Sequence, residues 1–126
     1  PNEVRYTGID PFESRRANDP PGLTLKLAHR LLKASGAQVQ LVPGDPYSAL
    51  SRTANSLSGI ELAIISADQD DQGLARAWHY LPRTLAPHAI VVIERLDPVQ
   101  GSAFLQEIDR DELQRLASVH QRRRAA

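Results

Sequence analysis

A chain of 126 residues has room for one domain, whose core can bury roughly two-thirds of the surface that the unfolded chain exposes. Its fifteen basic and fifteen acidic residues cancel, which leaves no global field to draw in nucleic acid or an anionic membrane. No cysteine is present, so disulfides, thiolate nucleophiles and thiolate metal sites are excluded together. No apolar run approaches the ~20 residues of a membrane span, and the N-terminus lacks a basic-then-apolar leader pattern. The expectation is a soluble, cytoplasmic chain with neither a membrane nor a nucleic-acid partner. It begins at Pro1 and contains no methionine, which leaves removal of an initiator and excision from something longer as alternatives.

The first predicted strand is Val4 to Ile9, which delivers Asp10 into a turn at Pro11. A carboxylate at the C-terminal end of a strand can accept hydrogen bonds from both hydroxyls of a ribose, and in open α/β sheets ligands collect outside those ends. An aspartate before proline serves equally well as a turn residue bonded to nearby backbone, and both roles stay open for Asp10. Phe12 to Pro21 reads as a long polar loop, in which Arg15 and Arg16 fit either an acidic substrate or plain solvation. From Leu23 the apolar residues Leu23, Leu27 and Leu31, with Leu25, Ala28 and Leu32 beside them, predict a helix that ends near Gly36.

Gln38 to Val42 is the second predicted strand, and Pro43-Gly44-Asp45-Pro46 follows it. Asp45 reads as the cap of a helix with proline at its first position, running through Leu50, Ala54 and Leu57 to Gly59. Ile60 to Ser66, apolar apart from Glu61, predicts a strand covered on both faces and followed by Asp68, Asp70 and Asp71. Leu74, Ala77, Trp78 and Leu81 predict a helix up to Pro82, and His88 to Ile93 a fourth strand ending at Glu94. Ala103 to Ile108 fits a further strand, antiparallel or at an edge. Asp109 and Glu112 form a capping-box pattern with Ile108 and Leu113 in the staple positions, so a terminal helix starts there, while Arg122-Arg123-Arg124 reads as a solvated tail. Alternating strands and helices predict a parallel sheet built from βαβ units.

Three strings, Tyr6-Thr7-Gly8-Ile9-Asp10-Pro11-Phe12, Val42-Pro43-Gly44-Asp45-Pro46-Tyr47 and Ile64-Ile65-Ser66-Ala67-Asp68, occur in this order and spacing. Over residues 4 to 94 they resemble the middle part of class I S-adenosylmethionine-dependent methyltransferases. The resemblance implies that Asp10 holds the cofactor ribose, that Gly44 and Asp45 lie near the adenine, and that Ser66 and Asp68 lie near the methionine part and a small-molecule acceptor. The family's first strand and its glycine-rich loop would precede Val4. The resemblance therefore describes either a chain truncated at its N-terminus or a remnant without a complete cofactor site. With the first strand removed, the strand order becomes second, first, third, fourth in this chain's own count.

Other chemistries have little support in the residues. The three aspartates after Ser66 fit a hard-cation site, but also a helix cap with acids at the helix's positive end, and no metal is expected. His29, His79, His88 and His120 have no ligand spacing, and Ser14, Ser48, Ser51 and Ser66 have no G-x-S-x-G setting. A phospho-receiver needs a late lysine, whereas Lys26 and Lys33 both lie in the first helix. A nicotinamide site needs a glycine fingerprint before its ribose acid. The resulting expectation is a single methyltransferase-like α/β domain over residues 1–126, a three-layer Rossmann-like arrangement with a mostly parallel sheet of four or five strands flanked by helices. Its function would be methyl transfer to a small molecule with no catalytic residue yet named. The alternative is a non-catalytic remnant or fragment acting as a structural or self-associating module, with homo-oligomers as the partner state.

Overall fold

The computed structural model describes residues 3–15, 17, 21–66 and 75–125, with side chains as far as 118. The chain forms two compact units, Pro1–Ala49 and Leu50–Ala126. In the first, strand β1 (Arg5–Asp10) pairs in parallel with β2 (Gln38–Pro43), in a register that sets Asp10 opposite Pro43. Parallel pairing cannot be closed by a tight turn, and helix α1 (Leu25–Lys33) makes the crossover. Its cap is Thr24, whose side chain accepts from the Leu27 amide at 3.2 Å, and Arg30 and Lys33 in the last turn meet the negative end of the helix. A second anchor comes from the preceding loop, where Glu13 Oε1 accepts the Leu25 amide at 2.6 Å.

Helix α1 packs against β2, with Ala28 buried and Leu25 and Leu32 half-buried. The spacing Leu23, Leu27, Leu31 had marked the predicted apolar stripe, yet all three leucines are exposed. The apolar arc of this helix is wider than one contact, and the sheet takes the side centred on Ala28. Helix α2 (Pro46–Thr53) follows β2, and the division between the units falls inside it.

The second unit is a three-stranded sheet in the order β3 (Ile60–Ile65), β4 (Leu85–Leu96), β5 (Ala103–Ile108). β3 and β4 are parallel, and β5 returns antiparallel at the edge after a turn in which Asp97 Oδ1 accepts the Val99 and Gln100 amides. Helix α3 (Leu81–Thr84) is a single turn before β4. The predicted helix through Trp78 to Pro82 is interrupted. Residues 75–77 are helical, 78–80 form a turn, and Pro82 has no N–H to give the carbonyl of Trp78. β4 begins at Leu85, three residues before the predicted start, because an irregular stretch shifts its register on β3 between Ile60 and Leu62. Pro87 lies in that stretch, and Arg110 Nη1 donates to the carbonyls of Ala86 and Pro87 at 3.2 and 2.9 Å.

One face of this sheet carries the core, in which Val91, Ile93 and Ile108 meet Trp78 and Leu113. Leu113 belongs to helix α4 (Arg110–Ala125). Asp109 Oδ1 accepts the Glu112 amide at 2.8 Å, and both staple residues, Ile108 and Leu113, are buried as the capping pattern predicts. The return half of the box is replaced: the Glu112 carboxylate pairs with Arg115. On the opposite face Leu62 and Ile64 are 55% and 65% exposed, so within its own unit β3 is covered on one face rather than two.

The α/β class holds, with helices beside parallel strands, but the described ladders do not make the single three-layer Rossmann-like sheet of four or five strands. The strands make one two-stranded and one three-stranded sheet. In the predicted order the pairs β2–β1 and β3–β4 are present, and the junction of β1 with β3 is not among the described ladders. Each pair that forms is joined through one crossover, and strand patterning alone does not name the partner of an edge. Among the described residues no helix is long and apolar enough to cross a membrane.

Leu113 is 1% exposed at the centre of the second unit's core, so Leu113→Ala should lower that unit's stability by about 2–5 kcal/mol. Leu105, 63% exposed on β5, should tolerate alanine within about 0.5 kcal/mol. Urea unfolding followed by Trp78 fluorescence compares the two.

Candidate functional site

Parallel strands finish at the same rim, and the register of β1 on β2 puts the end of one beside the end of the other. The Asp10 carbonyl accepts the Gly44 amide at 3.0 Å, one residue beyond the ladder. Gly44 has φ of 140°, a backbone region closed to residues with a side chain, and this lets β2 turn sharply into Asp45. The rim of the first unit therefore carries the Asp10 carboxylate and the Gly44-Asp45 turn.

Both carboxylates are engaged with their own surroundings. Asp10 Oδ2 accepts the Phe12 amide at 2.8 Å, the Asx turn that an aspartate before proline favours. Arg15 then closes on the same group in a fork, with Nη1 on Oδ2 at 2.5 Å and Nη2 on Oδ1 at 2.9 Å. Phe12 has φ of 50°, unusual for a bulky residue, and its buried ring together with the Asp10 bond holds it there. Burial pushes the Asp10 pKa up, but the Arg15 hydrogen bonds, the Phe12 amide and the Arg15 charge outweigh it, and the net direction is downward. Asp45 caps α2: Oδ1 accepts the Ser48 amide and Oδ2 the Ser48 hydroxyl, both at 2.9 Å. The Ser48 amide is the chief reason that the Asp45 pKa also falls, against a smaller opposing effect of burial.

The remaining predicted positions are distributed differently. Ser66 is exposed just past β3 in the second unit. Asp68, with Asp70 and Asp71, lies outside the described residues. The structure thus brings Asp10, Gly44 and Asp45 together in one unit. His29 and His88 are exposed, while His79 stands edge-on to Tyr80 with Arg83 Nη2 at 3.4 Å from its Nε2. Among the described residues no three histidine, aspartate or glutamate side chains converge as a metal-holding group.

Two residues at the rim have roles that patterning did not assign. Arg15, whose sequence setting fits either solvation or an acidic substrate, donates both hydrogen bonds of a fork to Asp10. Glu13 was one polar loop residue among several, and it holds the first amide of α1. The opposite charges of Asp10 and Arg15 on either side of the Pro11 turn are a local signal, but one that does not specify a partner. The chain matches no protein-family model, no curated protein and no solved structure.

Because the folded Asp10 pKa lies below its usual 3.8, its ionised form stabilises the fold fully above about that pH, and the contribution is lost as pH falls through the lower folded value. The stability gap between the natural chain and Asp10→Asn, measured by urea unfolding, should be present at about pH 6 and close towards about pH 2. Asp45→Ala should cost about 1 kcal/mol in the same assay, and Asp45→Asn much less, because asparagine caps nearly as well.

Proposed function

We propose that this chain is a methyltransferase-like domain that takes the adenosine part of S-adenosylmethionine at the rim formed by Asp10 and Gly44-Asp45, in the service of methyl transfer to a small molecule. The observation that carries the reading is the juxtaposition of a strand-end carboxylate with a glycine-aspartate turn at the ends of two adjacent parallel strands. Ligands of open α/β sheets gather at such ends. On this reading the two Asp10 oxygens take the two hydroxyls of a ribose in place of the Arg15 fork, and the base lies beside the Gly44-Asp45 turn. Methyl transfer from a sulfonium is an in-line displacement, so alignment and exclusion of water supply much of the acceleration without a dedicated base.

A second reading is favoured by a different observation: both rim carboxylates are already bonded locally, Asp10 to Phe12 and Arg15 and Asp45 to Ser48. On that reading the chain is a non-catalytic remnant or fragment acting as a structural or self-associating module, in which Asp10 shapes its turn and Asp45 caps α2.

Titration calorimetry of the 126-residue chain with S-adenosylmethionine separates the readings. Binding is expected, and Asp10→Ala, shown to be folded by circular dichroism, should weaken it by roughly 1.5–3 kcal/mol. Absence of binding by the natural chain, with a dimer in light scattering, would select the non-catalytic module.

A further inference from the structure

We infer that Arg15 is a built-in competitor for the diol that Asp10 recognises, so that the site is held closed by an autoinhibitory contact; the inference rests on the ribose reading of Asp10. A guanidinium fork and a vicinal diol make the same demand on a carboxylate: two donors, side by side, one to each oxygen. Arg15 meets that demand in full, with Nη1 on Oδ2 and Nη2 on Oδ1, and its side chain is only 18% exposed while that of Asp10 is 31% exposed. A diol can reach both oxygens only after the fork has left.

The surroundings hold Arg15 in this position. Its Nη1 also lies 3.4 Å from the Phe12 carbonyl, and Phe12 is anchored by its buried ring and by its amide on Asp10. The other end of the loop is tied down by Glu13 on the Leu25 amide. Between these ties the guanidinium lies against Gly22, where an added Cβ would sit 2.2 Å from Arg15 Cζ. Gly22 has no positive φ, so alanine is compatible with the backbone there, and the clash falls on the mobile end of a long side chain. A methyl group at residue 22 therefore displaces the guanidinium from Asp10 while leaving the arginine and its charge in the chain. Removing the fork by either route leaves the Phe12 amide on Asp10 and frees Oδ1.

Competition of this kind lowers apparent affinity by the fraction of molecules whose site is open. If the fork is closed in about nine molecules of ten, opening it tightens binding about tenfold. The test is calorimetry of the full chain and of Arg15→Gln and Gly22→Ala, each checked by circular dichroism, with adenosine and with 2′,3′-dideoxyadenosine as probes. Both variants should bind adenosine about tenfold more tightly than the natural chain, with no gain for the dideoxy compound. If the natural chain binds adenosine and neither variant binds it more tightly, or if the dideoxy compound gains equally, the competitor role is overturned while the ribose reading stands. If none of the three binds adenosine, the ribose reading fails and takes this inference with it.

Discussion

Parallel strand pairing is the constraint on which this molecule depends. Two neighbouring parallel strands need a crossover between them, and they must finish on the same side. The β1–β2 pair meets the first demand with α1, capped by Thr24 and tied by Glu13. The second demand brings Asp10 and the Gly44-Asp45 turn to one rim, although 34 positions of sequence separate Asp10 from Gly44. The hydrogen bond from the Gly44 amide to the Asp10 carbonyl extends the ladder by one step and sets the approach of the turn. Only glycine adopts the φ of 140° found there, so one residue type at one place connects the backbone geometry to the character of the rim.

At that rim a single carboxylate has more than one duty. Asp10 stabilises an Asx turn through Phe12 and accepts a bidentate arginine, which is the stronger kind of charged hydrogen bond. The same two oxygens are what a ribose would use. On the proposed ribose reading, the structural and binding roles of Asp10 compete for the same lone pairs, and their balance depends on how firmly Arg15 is held against Gly22 and the Phe12 carbonyl. Asp45 divides its oxygens differently. Both bond Ser48 at the start of α2, so its first duty is to the helix, which is compatible with a ligand passing beside the Gly44 backbone.

The second unit follows the same parallel rule and adds an antiparallel return. Its core lies on one face of the sheet, where Trp78 and Leu113 close over Val91, Ile93 and Ile108. The irregular start of β4 is accommodated rather than avoided. Proline at position 87 cannot donate to a ladder, and the carbonyls of residues 86 and 87 are satisfied by Arg110 from the first turn of α4. The cap at Asp109 and the two staple residues then fix where that helix begins, and hence where Leu113 enters the core.

Local chemistry was enough to determine several features of this chain from its sequence. Asp45-Pro46 starts a helix, Asp109 caps another between buried Ile108 and Leu113, and all five strands overlap their predicted places, with β4 longer at both ends and β5 antiparallel at the edge. Each of these rests on residues within a few positions of one another, where caps, turns and alternation act. What only the tertiary structure decided is how edges and faces meet. Among the described residues the ladders make two sheets, α1 buries Ala28 and not Leu27, β3 leaves Leu62 and Ile64 on an open face, and Arg15 reaches Asp10. The reason is physical: periodicity tells which side chains share a face, but the choice of partner comes from register, side-chain fit and the competition among donors for one carboxylate, which exist only once the chain is folded.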